Sequence, residues 1–249
     1  MSRTFFIRRF VPAAAGWSYR EQTRSRMTAV CAIAAVIALS ACAPKTRPLT
    51  GAPTRAALPE LAVDPRPHVL EFTWEYKDET FEATGDGAVR VQGPDRARLD
   101  FFLRNGMAGG YAILIGDTLN TPGGDLVKRL LPPAPLLWAS LGRLALPATS
   151  DTTARMDGDT LRADLGALRG KDASAADGRA WRVAVVGGGL YRVERIEGGK
   201  TVEWVERRRE ANGKWRVHYV HERGKRRLTI AITDTKFVEG FDAAIWRRS

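Results

Sequence analysis

A stretch of helical periodicity, residues 124–146, interrupts a chain that otherwise alternates in the manner of β-strands. The tandem Pro132 and Pro133 end a first helix, because proline in a helix interior removes a hydrogen bond, and Pro135 lies where a second helix can begin. Apolar residues recur at helical spacing in both parts: Leu126, Val127, Leu130, Leu131, Leu136, Leu137, Trp138, Leu141 and Leu144. The stretch therefore predicts two short helices with a wide apolar band.

A band of this width must pack against an apolar partner, which leaves two interpretations. The helical pair either completes an ordinary core or acts as a lid over an apolar cavity. The residues that would form such a lid are Leu130, Leu136, Leu137, Trp138 and Leu141.

The start of the chain has the layout of a lipoprotein signal peptide. Arg24 and Arg26 precede an apolar run that is too short for a comfortable membrane span, and the run ends in LSAC at residues 39–42. Small residues before a Cys are typical of a bacterial lipobox, in which the thiol carries a diacylglyceryl group. We therefore expect residues 1–41 to be removed and Cys42 to be lipidated. The alternative is an ordinary signal anchor with a chance Cys.

Cleavage before Cys42 would leave 208 residues, enough for one domain with a sizeable core. The other cysteine of the chain, Cys31, lies in the removed part, so we expect no disulfide. The removed part also holds six Arg and one Glu, which lowers the net charge from +11 to +6. A modestly basic, exported chain of this kind is not expected to bind nucleic acid.

Residues 42–67 are rich in Pro, Ala and Thr and have no apolar periodicity, so they are predicted to form a flexible tether to a single domain at residues 68–249. Ala43 follows the predicted lipidated Cys42, where Asp would often signal retention in the inner membrane. By analogy with enteric sorting, we expect a lipid-anchored protein of the cell envelope on the periplasmic face of the outer membrane.

Apolar and polar residues alternate over residues 69–115 and again over residues 181–232, which is typical of strands with one buried face. Regularly spaced turn sequences, including GDG at residues 85–87, predict an antiparallel meander. Residues 147–180 are predicted to be mostly loop, with a short strand at residues 160–163. Charged residues on the opposite strand faces are interpreted as solvated cross-strand pairs: Arg192, Glu194, Glu203, Glu206, Arg207, Arg209 and Arg216.

Motifs of catalysis and metal binding are absent from the sequence. It has no GxSxG, HExxH or P-loop motif, so no catalytic residue, no cofactor and no enzyme activity are predicted. Asp157 and Asp159 lie in a region whose spacing does not match a calcium loop, and Gly158 indicates a turn. His218 and His221 are three residues apart on a strand and would point to opposite faces, so no metal site is predicted.

The Gly-rich segment at residues 104–110 contains a single large apolar side chain, Met107. One interpretation is a long hairpin turn whose Met folds back onto the sheet. The functional interpretation is an apolar tip that contacts the membrane.

Strands, a helical pair and further strands behind a lipobox resemble the LolA/LolB family, the periplasmic carrier and outer-membrane receptor of lipoproteins. The resemblance covers about residues 69–246 and includes the pieces GDGAVRVQGPDRARLDFFL and YAILIGDTL. It implies a mainly β (α+β) fold: an incompletely closed antiparallel β-barrel in which the short helical pair acts as lid or plug over a hydrophobic cavity. It also implies that Met107 matches the apolar loop residue that the receptor presents.

The functional hypothesis is a membrane-anchored lipoprotein that binds lipid or acylated lipoprotein cargo and takes part in lipoprotein localisation to the outer membrane. A periplasmic carrier protein would be its partner, and the protein would be a monomer. Beside the lid residues, the expected cavity residues are Phe72, Trp74, Leu99, Phe101, Ile113, Trp204 and Ile230. The alternative is an envelope scaffold with a filled core and no ligand, so the packing of the interior separates the two hypotheses.

Overall fold

The computed structural model describes residues 46–104, 109–122, 124–147, 152–166 and 179–247. The predicted signal peptide, Cys42 and Met107 lie outside the described residues. The described part is mainly β, with two short α-helices and a C-terminal 3-10 helix at Ala243–Trp246.

The first group of strands is β1 (Ala52–Thr54), β2 (His68–Lys77), β3 (Glu82–Gln92), β4 (Arg96–Leu103), β5 (Gly110–Ile115) and β6 (Thr118–Asn120). Two helices follow, α1 (Asp125–Leu130) and α2 (Ala134–Ser140). The remaining strands are β7 (Thr152–Asp157), β8 (Thr160–Leu165), β9 (Arg179–Val186), β10 (Gly189–Glu197), β11 (Lys200–Arg209), β12 (Trp215–His221) and β13 (Arg226–Phe237).

These strands form one antiparallel sheet in the order β1-β7-β8-β9-β10-β11-β12-β13-β2-β3-β4-β5-β6. The late strands join the early ones where β13 pairs with β2, for example Ile230 with Trp74. Within the described residues, no strand pairing joins the two edge strands β1 and β6. The predicted incompletely closed antiparallel barrel with a short helical pair is therefore confirmed.

Strand β3 runs through the GDG sequence that was predicted to turn. Gly85 and Gly87 lie opposite Trp74 and Phe72 in the register of β2 and β3. A Cβ atom at Gly87 would lie 2.3 Å from Cζ of Phe72, and one at Gly85 would lie 2.8 Å from Cε2 of Trp74. The two glycines therefore make room for aromatic rings that lie across the strand. From one sequence alone, this role of glycine cannot be distinguished from a role in a turn.

The described part of the predicted tether, residues 46–67, packs on the domain. Strand β1 pairs with β7, and the Leu144 N–H donates to the carbonyl oxygen of Leu61 at 2.9 Å. Val63 is buried in the core, and Leu58 packs against it. The tether prediction is therefore wrong for these residues. The side chains of Leu58, Leu61 and Val63 pack on the core, and the edge of β7 pairs with β1, although the segment has no apolar periodicity of its own.

The polar region at residues 147–180 contains a hairpin where the sequence predicted mostly loop. Strands β7 and β8 pair from Asp157↔Thr160 to Thr152↔Leu165, and Gly158 forms the predicted turn with a φ of +63°. The interior side of β8 carries the small Ala163 beside Leu161, so the apolar alternation is present but weak. Cross-strand pairing supplied by β9 stabilises this hairpin.

An aromatic cluster fills the concave side of the sheet at β2 and β4. The rings of Phe72 and Trp74 pack edge-on against Phe101, with centroid distances of 5.5 and 5.8 Å. Trp74 Nε1 donates to the carbonyl oxygen of Asp86 at 3.1 Å, so its polar atom is satisfied. The core thus reaches from the sheet to the helical pair.

Candidate ligand-binding cleft

Helix α2 is a plug seated in the concave face of the sheet. Leu136, Leu137 and Trp138 are 0–1% exposed. The helix contacts β10, β11 and β12, and Trp138 Nε1 donates to the carbonyl oxygen of Gly116 at 2.6 Å. Helix-breaking residues lie on both sides of α2: Pro133 precedes the helix, and Gly142, with a φ of +93°, follows it. The predicted lid is therefore a buried element and not a surface flap.

An apolar cleft remains between the end of α2 and the sheet. It is lined by Leu70, Phe72, Val89, Leu99, Ser140, Leu141, Val217, Ile230 and Ile232. Its free internal volume is about 20 Å³, room for one water molecule. The floor comes from β2, β3, β4, β12 and β13, and Leu141 forms the roof. The structure brings Phe72, Leu99, Leu141 and Ile230 together as predicted.

Other predicted cavity residues lie in the packed interior beside the cleft. Trp74 and Phe101 are each 1% exposed in the aromatic cluster. Leu130 is fully buried at the end of α1 and belongs to the same core as the α2 side chains. The interior is thus filled around the plug, with free space left at the roof end of α2.

Ile113 and Trp204 lie on the outer face of the sheet and do not line the interior. Ala112 and Leu114 belong to the core, so Ile113 between them points outward. Its register partner Arg98 donates to the carbonyl oxygen of Ile245, which places the C-terminal segment over this face.

The neighbours of Trp204 place it on the outside in the same way. Val205 belongs to the core, while the guanidinium of Arg192 lies 3.9 Å from the Trp204 ring centroid. Trp204 Nε1 donates to Glu222, an exposed residue. The prediction placed Trp204 inward because of its size. In β11 the residues that face inward are instead Glu203, Val205 and Arg207.

The burial of charged residues on the concave face was not predicted, because the charges of these strands were interpreted as solvated. Glu203 is 1% exposed, accepts from Arg195 Nε at 2.6 Å and accepts from the Tyr219 hydroxyl at 2.8 Å. Burial, together with the Glu203 charge, raises the pKa of Tyr219 well above its usual range. Both alternating sets of β11 contain charged and apolar residues, so no sequence signal separates these inward charges from surface charges.

Arg207 is a half-buried charge on the same face of β11. Its guanidinium stacks on the Trp215 ring at 3.6 Å from the centroid, and burial lowers its pKa to about 10. Its Nε is buried and has no hydrogen-bond partner among the described residues. Arg143, just after α2, likewise has an unpartnered Nη1 within the described part of the chain and lies 4.6 Å from the Trp138 ring centroid.

A bidentate ion pair ties α1 to the turn between β2 and β3. Arg129 donates from Nε and Nη2 to the two oxygens of Asp78 at 2.6 and 2.7 Å, and the Tyr76 hydroxyl donates to the same carboxylate at 2.8 Å. The Arg129 hydrogen bond holds the pKa of Asp78 well below its usual range. Burial, and then the hydrogen bond to Asp78, raises the pKa of Tyr76 to about 12. We call these three residues the latch.

Among the described residues, no group of three or more His, Cys, Asp or Glu side chains could hold a metal ion. The helices of the described part are all too short or too polar to cross a membrane.

Comparisons with known proteins found no matching family model and no matching curated protein. A LolA superfamily protein from Nitrosomonas europaea is 12% identical, covers 74% of this chain and 91% of its own, and has a TM-score of 0.46. A DUF1329 family protein from Desulfovibrio piger is 10% identical over 73% and 90% of the two chains, with a TM-score of 0.43. An outer membrane lipoprotein-sorting protein domain from Vibrio parahaemolyticus is 9% identical over 73% and 89%, with a TM-score of 0.42.

Proposed function

We propose that this protein binds a hydrocarbon chain, from a lipid or an acylated lipoprotein, between the concave sheet and helix α2. The observation that carries the proposal is the apolar cleft beneath Leu141, floored by Phe72, Leu99 and Ile230. The gap is the size of one water molecule, which an ordinary core also leaves, so the proposal requires the cleft to widen when a ligand binds.

Binding requires α2 to move, since a cleft of about 20 Å³ does not hold an alkyl chain. The breaks at Pro133 and Gly142 leave α2 connected to its neighbours through non-helical residues, so it can shift as a unit. Burying about ten methylenes contributes roughly 8 kcal/mol. Displacing Leu136, Leu137 and Trp138 costs roughly 2 kcal/mol for each large side chain, so the two terms nearly cancel. Each further methylene adds about 0.8 kcal/mol, so the net affinity rises with the length of the hydrocarbon chain.

The test is native mass spectrometry of the full chain, purified from a bacterial envelope and released from detergent micelles. Bound lipid on the wild type supports the proposal. Leu141→Asp places a carboxylate in the roof of the cleft and is expected to remove the lipid, since a buried charge without a partner is costly. Leu146→Asp is the matched control, because Leu146 is half-buried but does not line the cleft. A wild type without lipid, or a Leu141→Asp variant with undiminished lipid, contradicts the proposal.

A scaffold role in the envelope is the second candidate, and the small volume of the cleft favours it. In this role α2 never leaves the interior, and the filled core supports binding of a protein partner elsewhere. For a scaffold we expect native mass spectra without lipid. We also expect amide hydrogen exchange in residues 134–140 to be as slow as in the core strands.

We further propose that the protein is anchored through lipidated Cys42 to the periplasmic face of the outer membrane, where Met107 contacts the bilayer. A lipoprotein carrier would be the donor of acylated cargo. Cys42→Ala is expected to abolish the diacylglyceryl mass and to shift the protein out of the outer-membrane fraction. Cys31→Ala is the control and should change neither. Retention of the Cys42→Ala variant in the outer membrane would contradict the anchor.

A further inference from the structure

The apolar cleft ends beside a cationic group. Arg207 pairs in register with Val217, which lines the cleft and belongs to the core, so both side chains lie on the concave face. A Cβ atom on Gly142 would lie 2.8 Å from Nη1 of Arg207. Gly142 directly follows Leu141, the roof of the cleft, so the guanidinium lies next to the roof.

Arg207 has no acidic partner among the described residues, in contrast to Arg195 on the same face. Arg195 donates from Nε to Glu203 at 2.6 Å, which balances its charge. The polar atom nearest the Arg207 side-chain stem, Nε, is buried and unbonded, and the ring of Trp215 covers one side of the guanidinium. A desolvated cation without a counter-charge is unfavourable, so a folded chain retains one mainly where something anionic satisfies it.

A second cation lies on the other side of the same glycine. Arg143 follows Gly142, its Nη1 is buried without a hydrogen-bond partner in the described part, and its guanidinium rests against the buried Trp138. Positive charge at this point also complements the carbonyl end of α2, which is the competing structural explanation. That explanation leaves the buried N–H groups of both arginines unused.

We propose that Arg207 binds the anionic group, a phosphate or carboxylate, of an amphiphile whose hydrocarbon chain occupies the cleft. A planar guanidinium matches the oxygens of either group with two parallel hydrogen bonds. This inference rests on the proposed function and narrows it to anionic ligands. Arg207 therefore orients the ligand, with its anionic group near Gly142.

The test uses native mass spectrometry of the full chain from neutral detergent micelles with three probes at equal concentration: dodecyl phosphate, dodecanol and inorganic phosphate. We expect dodecyl phosphate to bind the wild type more tightly than dodecanol by roughly tenfold, the scale of one charge-assisted hydrogen bond. Inorganic phosphate alone should bind far more weakly than dodecyl phosphate, because it gains nothing from the cleft.

The variant Arg207→Gln should lower the affinity for dodecyl phosphate to that for dodecanol and leave dodecanol unchanged. Arg207→Lys should retain part of the preference, since it keeps the charge without the planar fork. Arg209→Gln is the matched control: Arg209 lies two residues along the same strand, is exposed and donates from Nε to Gly213. It should bind all probes like the wild type.

Three results overturn the inference, and they are distinguishable. Equal binding of dodecyl phosphate and dodecanol by the wild type refutes the anionic site while the proposed function stands. Arg207-dependent binding of inorganic phosphate as strong as that of dodecyl phosphate shows a site for a free anion instead. Binding of neither alkyl probe refutes the proposed function itself. Arg207→Gln should remain folded, because it removes a half-buried charge that has no acidic partner among the described residues, and its unfolding midpoint checks this.

Discussion

The concave face of the sheet has two parts that are built differently. The apolar half, formed by the inward residues of β2 to β5, holds the aromatic cluster of Phe72, Trp74 and Phe101. The charged half, formed by the inward residues of β10 to β12, holds Glu203 with its partners and Arg207, whose Nε has no hydrogen-bond partner among the described residues. The cleft lies where the two halves meet under Leu141. The apolar half therefore supplies packing, and the charged half supplies a polar end to the same interior.

The largest effect is expected in the apolar half. Phe101→Ala should lower the free energy of unfolding by about 3–5 kcal/mol, because it leaves a cavity between Phe72 and Trp74. Phe102→Ala is the control, since Phe102 is 56% exposed on the opposite face, and it should change stability by less than about 0.5 kcal/mol. Urea unfolding followed by Trp fluorescence measures both. Equal losses for the two variants would contradict the assigned faces of β4.

A smaller loss is expected in the charged half. Glu203→Ala should cost about 2 kcal/mol, because it leaves the Tyr219 hydroxyl and Arg195 Nε without their buried acceptor. Glu222→Ala, at an exposed site, should stay within about 0.5 kcal/mol of the wild type. The same urea titrations apply. If Glu203→Ala is as stable as the control, the carboxylate is solvated and the charged half is not buried.

A regional effect is expected for the latch, which joins the apolar half to the helical pair. Arg129→Gln should speed amide hydrogen exchange in residues 125–130 with little change in the core strands, since the bidentate pair to Asp78 is lost. Lys128→Gln is the neighbouring control, because Lys128 is 60% exposed and pairs only with Asp125 on the same helix. Unchanged exchange in Arg129→Gln would mean that the latch does not hold α1.

The smallest effect is a change in alkaline pH dependence. The pKa of Tyr76 is raised to about 12 in the folded protein, so the folded state keeps the hydroxyl proton that the unfolded chain loses near pH 10. This contribution is complete below pH 10 and is lost as the pH rises towards about 12. Tyr76→Phe should therefore show a shallower fall of stability between pH 10 and 12 in thermal unfolding. Parallel curves for the variant and wild type would contradict the raised pKa of Tyr76.

Much of the architecture was predictable because it depends on local patterns. The tandem prolines and the leucine spacing predicted α1 and α2, and alternation predicted most strands and their antiparallel order. Four of the predicted cavity residues, Phe72, Leu99, Leu141 and Ile230, line the cleft. Phe72, Leu99 and Ile230 face the interior because their strands carry apolar residues mainly in one alternating set.

The errors occurred where both alternating sets contain apolar or polar residues. In β5, Ala112, Ile113 and Leu114 are all buried, so periodicity alone cannot assign a face to Ile113. In β11, Trp204 appeared to be the natural interior residue, yet it lies outside beneath Arg192. The docking of β1 was not predicted, because the strand that pairs with it, β7, lies about 100 residues later in the chain.

By itself, the sequence determined the periods of the elements, the breaks around the helical pair and the meander order, because these follow from neighbours within a few positions of one another. The tertiary structure alone decided which face of each strand turned inward and where the tether residues docked. It also decided that Glu203 has hydrogen-bond partners while Arg207 Nε has none among the described residues. Side chains distant in sequence meet only when the sheet curves around α2. The burial and pairing of a charge depend on those meetings, and local patterning does not contain them.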